Sequence, residues 1–212
     1  MPKTYIYKMT TDDGGAPCVR DDLLTLAICK PAIRSVAKRG DVILAFAGNG
    51  LYRDNCMVYA AKVTDTLDAR DYFSNSRFRT RPDCIYRWDG RYFGRKADAR
   101  FHPAPANLPH DLGEPPTYGR AHVLLSEGLE SFRYFRDKCA VGYKQEFPHL
   151  KSLIHSLAQG HGVNYEPDLL AELRRFIARV WDAPSAYRET PVPDAAGDHE
   201  CGADDDVVGV EC

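Results

Sequence analysis

The stretch LLTLAICKPAIRSVAKRGD, Leu23–Asp41, decides how the chain is built. Leu23 to Ile28 is a short apolar run that reads as a strand or as the entry to a helix. Pro31 suits a first helical position, where its missing N–H is no loss. Ile33, Val36 and Ala37 then share one face at helical spacing, and Lys30, Arg34 and Lys38 fall four apart on another. Gly40 is the expected C-terminal cap, and Asp41 closes the turn. A thiol, Cys29, therefore sits beside a lysine where a helix begins. The first N–H groups of a helix are unpaired and partly positive, so such a site attracts phosphate and also favours a thiolate. We read Lys30 and Arg34 as phosphate contacts and the Cys29 sulfur as a packed apolar atom. The alternative makes Cys29 a nucleophile, with His161 as a base and Asp41 or Asp83 orienting.

Working outward, TYIYKM (Thr4–Met9) is rich in β-formers and reads as the first strand. VILAFA (Val42–Ala47) reads as a buried strand, GNG as a turn, and CMVYAAKV (Cys56–Val63) as the next strand. TDTLDARDYF starts helical, with Thr66 or Asp68 able to cap. Ser74 to Pro116 reads as irregular apart from short strands near CIYRW and RYFG, and its proline-rich part as a long loop. HVLLS (His122–Ser126) is another strand. PDLLAELRRFIARVW (Pro167–Trp181) is the strongest helix, because Leu169, Leu170, Leu173, Phe176, Ile177, Val180 and Trp181 form one apolar stripe. Short strands with a few helices, and no regular strand–helix alternation, predict a mixed α+β fold. The expected form is a small curved sheet or β-barrel flanked by helices.

Composition narrows the function classes. At 212 residues and 44% hydrophobic content, the chain can bury one core. We expect a single domain over residues 1–182 and an acidic, disordered tail over 183–212. That tail carries eight acids against Arg188, which leaves 27 bases and 22 acids, a net of +5, in residues 1–182. A basic body suits a polyanionic partner, and the tail could shield it. No run of about 18 apolar residues suggests a membrane span, and MPKTYIYKM is unlike a signal peptide, so a cytoplasmic location is expected. Seven cysteines with no C-x-x-C pair argue against a disulfide framework or a zinc ribbon. His149, His155 and His161 fall six apart and do not line one helix face, so no metal is expected, and no cofactor. No P-loop, Ser-His-Asp order or paired-carboxylate motif stands out.

Residues 70–101 hold eight arginines and Lys96 against four aspartates, interleaved with aromatic residues. Guanidinium groups match phosphate, and rings stack on bases. Arg79, Arg81, Tyr86 and Trp88 are the candidates here, joined by Lys30, Arg34 and Tyr134. The implied partner is nucleic acid, DNA favoured, or a modified nucleotide; the oligomeric state is left open.

Several segments occur together in one order: LTLAICKPAIRSVAKRGDVILAFAG, MVYAAKVTDTLDARDYF, PDCIYRW, HVLLSEGLESFRYF and GHGV. In these the chain resembles the second of the nucleotide-modification-associated domain families, found in bacteria and phages beside systems that make or handle modified DNA bases. The family's motif residues fall on Cys29, Lys30, Pro31, Arg34, Gly40, Asp41, Tyr59, Val63, Tyr86, Tyr134 and His161. Two segments depart from it. The usual Asp-Asn-Ile-Tyr is Asp83-Cys84-Ile85-Tyr86, and the usual Tyr-Phe-Gly is Tyr134-Phe135-Arg136. A looser similarity to the PUA, ASCH and EVE group, carried by Gly40, Asp41 and two strands, implies a barrel whose cleft accepts a single base. The resemblance implies a module that recognises a modified base in a DNA-modification or defence setting, or alternatively an enzyme acting on such a base through Cys29 or His161.

Overall fold

The computed structural model describes residues 2–158 and 160–185. In chain order the elements are β1 (Thr4–Met9), β2 (Cys18–Arg20), β3 (Leu23–Leu26), α1 (Pro31–Arg34), β4 (Val42–Ala47), β5 (Met57–Lys62), β6 (Asp65–Asp68) and α2 (Ala69–Ser74). There follow β7 (Tyr86–Trp88), β8 (Phe93–Arg95), α3 (Asn107–Leu112), β9 (His122–Glu127), β10 (Phe132–Tyr134), α4 (Pro148–Ser156), β11 (His161–Gly162) and α5 (Pro167–Asp182). One five-stranded sheet runs β10-β5-β4-β1-β11, a four-stranded sheet runs β2-β3-β9-β6, and β7 and β8 form a hairpin apart.

Side-chain alternation stacks these pieces into layers, because neighbouring residues of a strand face opposite ways. On β1, Ile6 joins Leu44 and Phe46 of β4 under Leu150, Leu173, Phe176 and Val180 of α4 and α5. Tyr5, Tyr7 and Met9 face the other way, onto Leu24 and Leu26 of β3 and Leu124 of β9. The outer face of the second sheet, through Leu23, Val123 and Leu125, is covered by Tyr72 and Phe73 of α2, Tyr86 of β7, Phe93 of β8 and Leu112 of α3. The fourth layer is therefore the segment that reads as irregular in sequence.

Strands β1 and β4 are parallel, so the chain must cross over between them. The crossover is β2, β3 and α1, and its return is fixed at Gly40 and Asp41. Gly40 adopts φ +94°, which suits a residue without a side chain, and donates its N–H to Val63 O. Asp41 is buried and accepts the N–H of Lys3 at 2.7 Å and of Lys38 at 2.9 Å, tying the starts of β1 and β4 together.

Two expectations are corrected. No barrel closes among the described residues: the outer strands of the two sheets are joined by no ladder. The reason is local. At one edge β11 is only two residues long, and at the other Tyr134 of β10 gives its N–H to Ser185 Oγ at 3.0 Å, so each sheet finds cover face to face instead. The PUA-like barrel is thus replaced by three open sheets with five helices. The helix after Cys29 is also shorter than its periodicity predicts, ending at Arg34. The expected disordered tail lies outside the described residues beyond Ser185. No described helix is long and apolar enough to cross a membrane.

Candidate active site

After β3 the chain makes an abrupt turn. Cys29 adopts φ +56° and Lys30 φ +45°, so two successive residues with side chains sit in the left-handed region before Pro31 opens α1. Such backbone costs about 1–3 kcal/mol per residue and persists only where the surroundings enforce it. Here Asp111 of α3 does so: its Oδ1 accepts the Cys29 N–H at 2.8 Å. The Asp111 Oδ2 lies 2.6 Å from His102 Nδ1, and His102 Nε2 lies 3.2 Å from Cys29 Sγ. Thiol, imidazole and carboxylate form one line, assembled from two separate parts of the sequence. His102 too has positive φ, +53°.

The carboxylate is charged and held. Burial alone would raise its pKa, but the hydrogen bond and charge of His102, the Arg34 guanidinium and the Tyr86 hydroxyl together bring it below the ordinary value. Tyr86 OH donates to Asp111 Oδ2 at 2.8 Å. Burial first, then the charge of Asp111, keeps that phenol protonated. With Nδ1 on a carboxylate, the other ring nitrogen is free to accept a proton from sulfur; this is the orienting logic of a nucleophile–base–carboxylate triad. Asp111 is fully buried, the His102 side chain is 11% exposed and Cys29 is half-buried, so exposure rises toward the thiol end of the line.

Arg34 builds this site from behind. It is 1% exposed, and its guanidinium donates to the carbonyls of Cys29 (2.6 Å), Asp111 (2.6 Å), His122 (2.5 Å) and Arg120 (3.2 Å). The expected phosphate contact is corrected on that ground: its donors are spent inside. Arg81 is likewise buried and donates to the carbonyls of Cys18, Arg20 and Leu23. Tyr86 and Tyr134 are sealed in the core, so neither ring has an open face for a base. The Tyr134 hydroxyl donates to Asp12, as does that of Tyr52. Trp88 is half-buried, with the Arg70 guanidinium 5.0 Å from its ring. Arg79 is exposed. Lys30 is half-buried, its ammonium 5.1 Å from the centroid of Tyr7.

The other residues read as helpers of Cys29 lie in different segments of the chain from His102 and Asp111. His161 lies on β11, paired with Tyr7 of β1, its ring 5.8 Å from Tyr5. Asp41 closes the crossover. Asp83 accepts from Thr25 Oγ1 and Tyr72 OH in the core. His102 and Asp111 were hidden because FHPAPANLPHDLG has no period to mark it as structured. The available signal was its length, since long irregular segments inside a compact domain are often functional, together with two histidines, His102 and His110, and Asp111 downstream of a candidate Cys.

Fold and site together define an α+β domain with a hydrogen-bonded thiol–imidazole–carboxylate line under an elbow of strained backbone. The chain belongs to the nucleotide modification associated domain 2 family, whose sequence model matches residues 1–191. That places it in the context of nucleotide modification systems. No curated protein and no solved structure matches it.

Proposed function

We propose that this domain is an enzyme that modifies or processes a nucleotide or its base, with Cys29 as nucleophile, His102 as general base and Asp111 holding the imidazole. The observation that carries this reading is the unbroken line of 3.2 Å and 2.6 Å contacts from sulfur to carboxylate. The family's association with nucleotide modification supports a nucleotide or its base as the substrate class. The chemistry is group transfer at an electrophilic carbon. As Cys29 Sγ bonds to that carbon, its proton passes to His102 Nε2. The leaving group then departs with that proton, leaving the transferred group on sulfur. Water or a second nucleophile, deprotonated by the same nitrogen, displaces it and restores the thiol. Removing a general base of this kind slows a reaction by about 10²–10⁴-fold.

A module that recognises a modified base without reacting is the second reading, and the exposed arginines of residues 77–100 favour it. Product analysis separates the two. Modified and unmodified nucleotides and oligonucleotides are incubated with the wild type and with Cys29→Ser, both verified as folded. The enzyme reading expects a product with the wild type and none with the variant. Equal turnover by Cys29→Ser, or binding with no product from any member of the panel, overturns it in favour of the module.

A further inference from the structure

The β7–β8 hairpin has a sealed inner face and a cationic outer one. Inside, Phe93 packs against Trp88 and Tyr118, with centroids 4.8 and 4.9 Å apart. Outside, Arg87 and Arg91 are exposed, as is Arg100 five residues beyond β8, where its guanidinium lies 5.3 Å from the Phe101 ring; none of the three makes an ion pair among the described residues. Arg87 lies across from Gly94, close enough that its Nε would meet an added Cβ there at an ordinary contact distance of 3.5 Å. Tyr92 is 43% exposed, with the Arg91 guanidinium 5.1 Å from its ring. The acids nearby do not cancel this charge: residues 86–101 hold five bases against Asp89 and Asp98. Asp89 is occupied, closing the hairpin turn on the amides of Arg91 and Tyr92.

Both strands of the hairpin are anchored to the triad. β7 begins at Tyr86, which donates to Asp111. Arg95 of β8 donates to the carbonyl of Phe101, the residue before His102, at 3.1 Å. The hairpin that carries the outer face is thus fixed to two of the groups that position the triad, Asp111 and the residue before His102. Two cations and a ring on the hairpin, with a third cation at Arg100 just beyond it, offer more contacts than a single nucleotide uses. The half-buried sulfur also excludes a base still stacked in a duplex, so the reacting base has to be unpaired or flipped out.

We propose that the substrate of the Cys29 site is a base carried within a single polynucleotide strand, and that β7–β8 is the track for that strand. Arg87, Arg91 and Arg100 meet its phosphates, and Tyr92 stacks on a base next to the reacting one. The chemistry assigned to the site rests on the triad reading, whereas the track is a binding property that stands or falls without it.

The test uses the full chain as Cys29→Ser, so that no turnover enters. Fluorescence anisotropy follows a labelled single-stranded DNA oligonucleotide of mixed sequence across a salt series, with free mononucleotides as competitors. Binding is expected, with mononucleotides competing poorly. Adding Arg87→Glu and Arg91→Glu should weaken it by at least about tenfold and flatten the log–log salt dependence by about 1.4, since each single-strand phosphate contact contributes about 0.7. Tyr92→Ala should weaken binding by about fivefold or more, as expected for one lost stack. An unchanged affinity in the double charge reversal, or mononucleotides competing as well as the strand, overturns the track. Because both variants alter exposed side chains, loss of fold does not confuse the result. A strand that binds as described while Cys29 proves chemically ordinary would retain the track and remove the enzyme.

Discussion

At the scale of single residues, the site depends on charges held inside rather than displayed. Arg34 is the clearest case. Four carbonyls and the Asp111 carboxylate surround it, 3.9 Å separating Nη2 from Oδ1. Removing one member of such a buried network leaves the others unsatisfied, which costs about 3–5 kcal/mol. Arg34→Met should therefore lower the denaturant midpoint by that equivalent; a change below about 1 kcal/mol would contradict the role assigned here. Tyr86→Phe is gentler. It removes one hydrogen bond to a charged group, worth about 1.5–3 kcal/mol, and should slow the reaction of Cys29 while leaving the fold intact. Asp111 gives a pH signature. Its folded pKa lies below its ordinary 3.8, so its stabilisation is complete above that value and is lost as pH falls through the lowered one. Acid unfolding below about pH 4 should then be steeper in the wild type than in Asp111→Asn. Parallel acid curves for the two would show that the carboxylate carries no such linkage.

At the scale of elements, what could be read from sequence followed the strength of the period. The stripe of α5 is dense enough that Leu169, Leu173, Phe176 and Val180 are found buried where a helix of that pattern must bury them. Phe176 sits among Phe46, Tyr143 and Phe147, with centroids 5.4–6.2 Å away, and Phe176→Ala should cost about 3–5 kcal/mol in chemical denaturation. Strands β4 and β5 were equally plain, as uninterrupted apolar runs. That the sheets stay open rather than close into the expected barrel was not legible, because a strand's composition does not say which strand it pairs with. The aromatic residues of 70–101 misled for a related reason. Tyr72, Phe73, Phe78, Tyr86, Phe93 and Phe101 are core, since rings and arginines at alternate positions describe a half-buried sheet edge as well as a binding face. The exposed Arg87, Arg91 and Tyr92 are the other half of that same alternation.

At the scale of the whole molecule, layering brings the chemistry together. β3 carries Cys29 out of the second sheet, and the fourth layer, packed on that sheet, supplies His102, Asp111 and Tyr86. Three of the other four described thiols, Cys18, Cys56 and Cys84, serve as internal references. Burial raises the pKa of Cys18 and Cys84, and burial together with the adjacent Cys139 pushes Cys56 up to about 12. These three should resist alkylation in the folded chain. The most direct test is thus the rate at which iodoacetamide carbamidomethylates each cysteine at neutral pH, read by peptide mass spectrometry in the wild type and in His102→Gln. The account predicts that Cys29 reacts first and that His102→Gln slows it by about tenfold or more while Cys18, Cys56 and Cys84 keep their rates. A Cys29 no faster than those three, or a rate indifferent to His102, would contradict the triad.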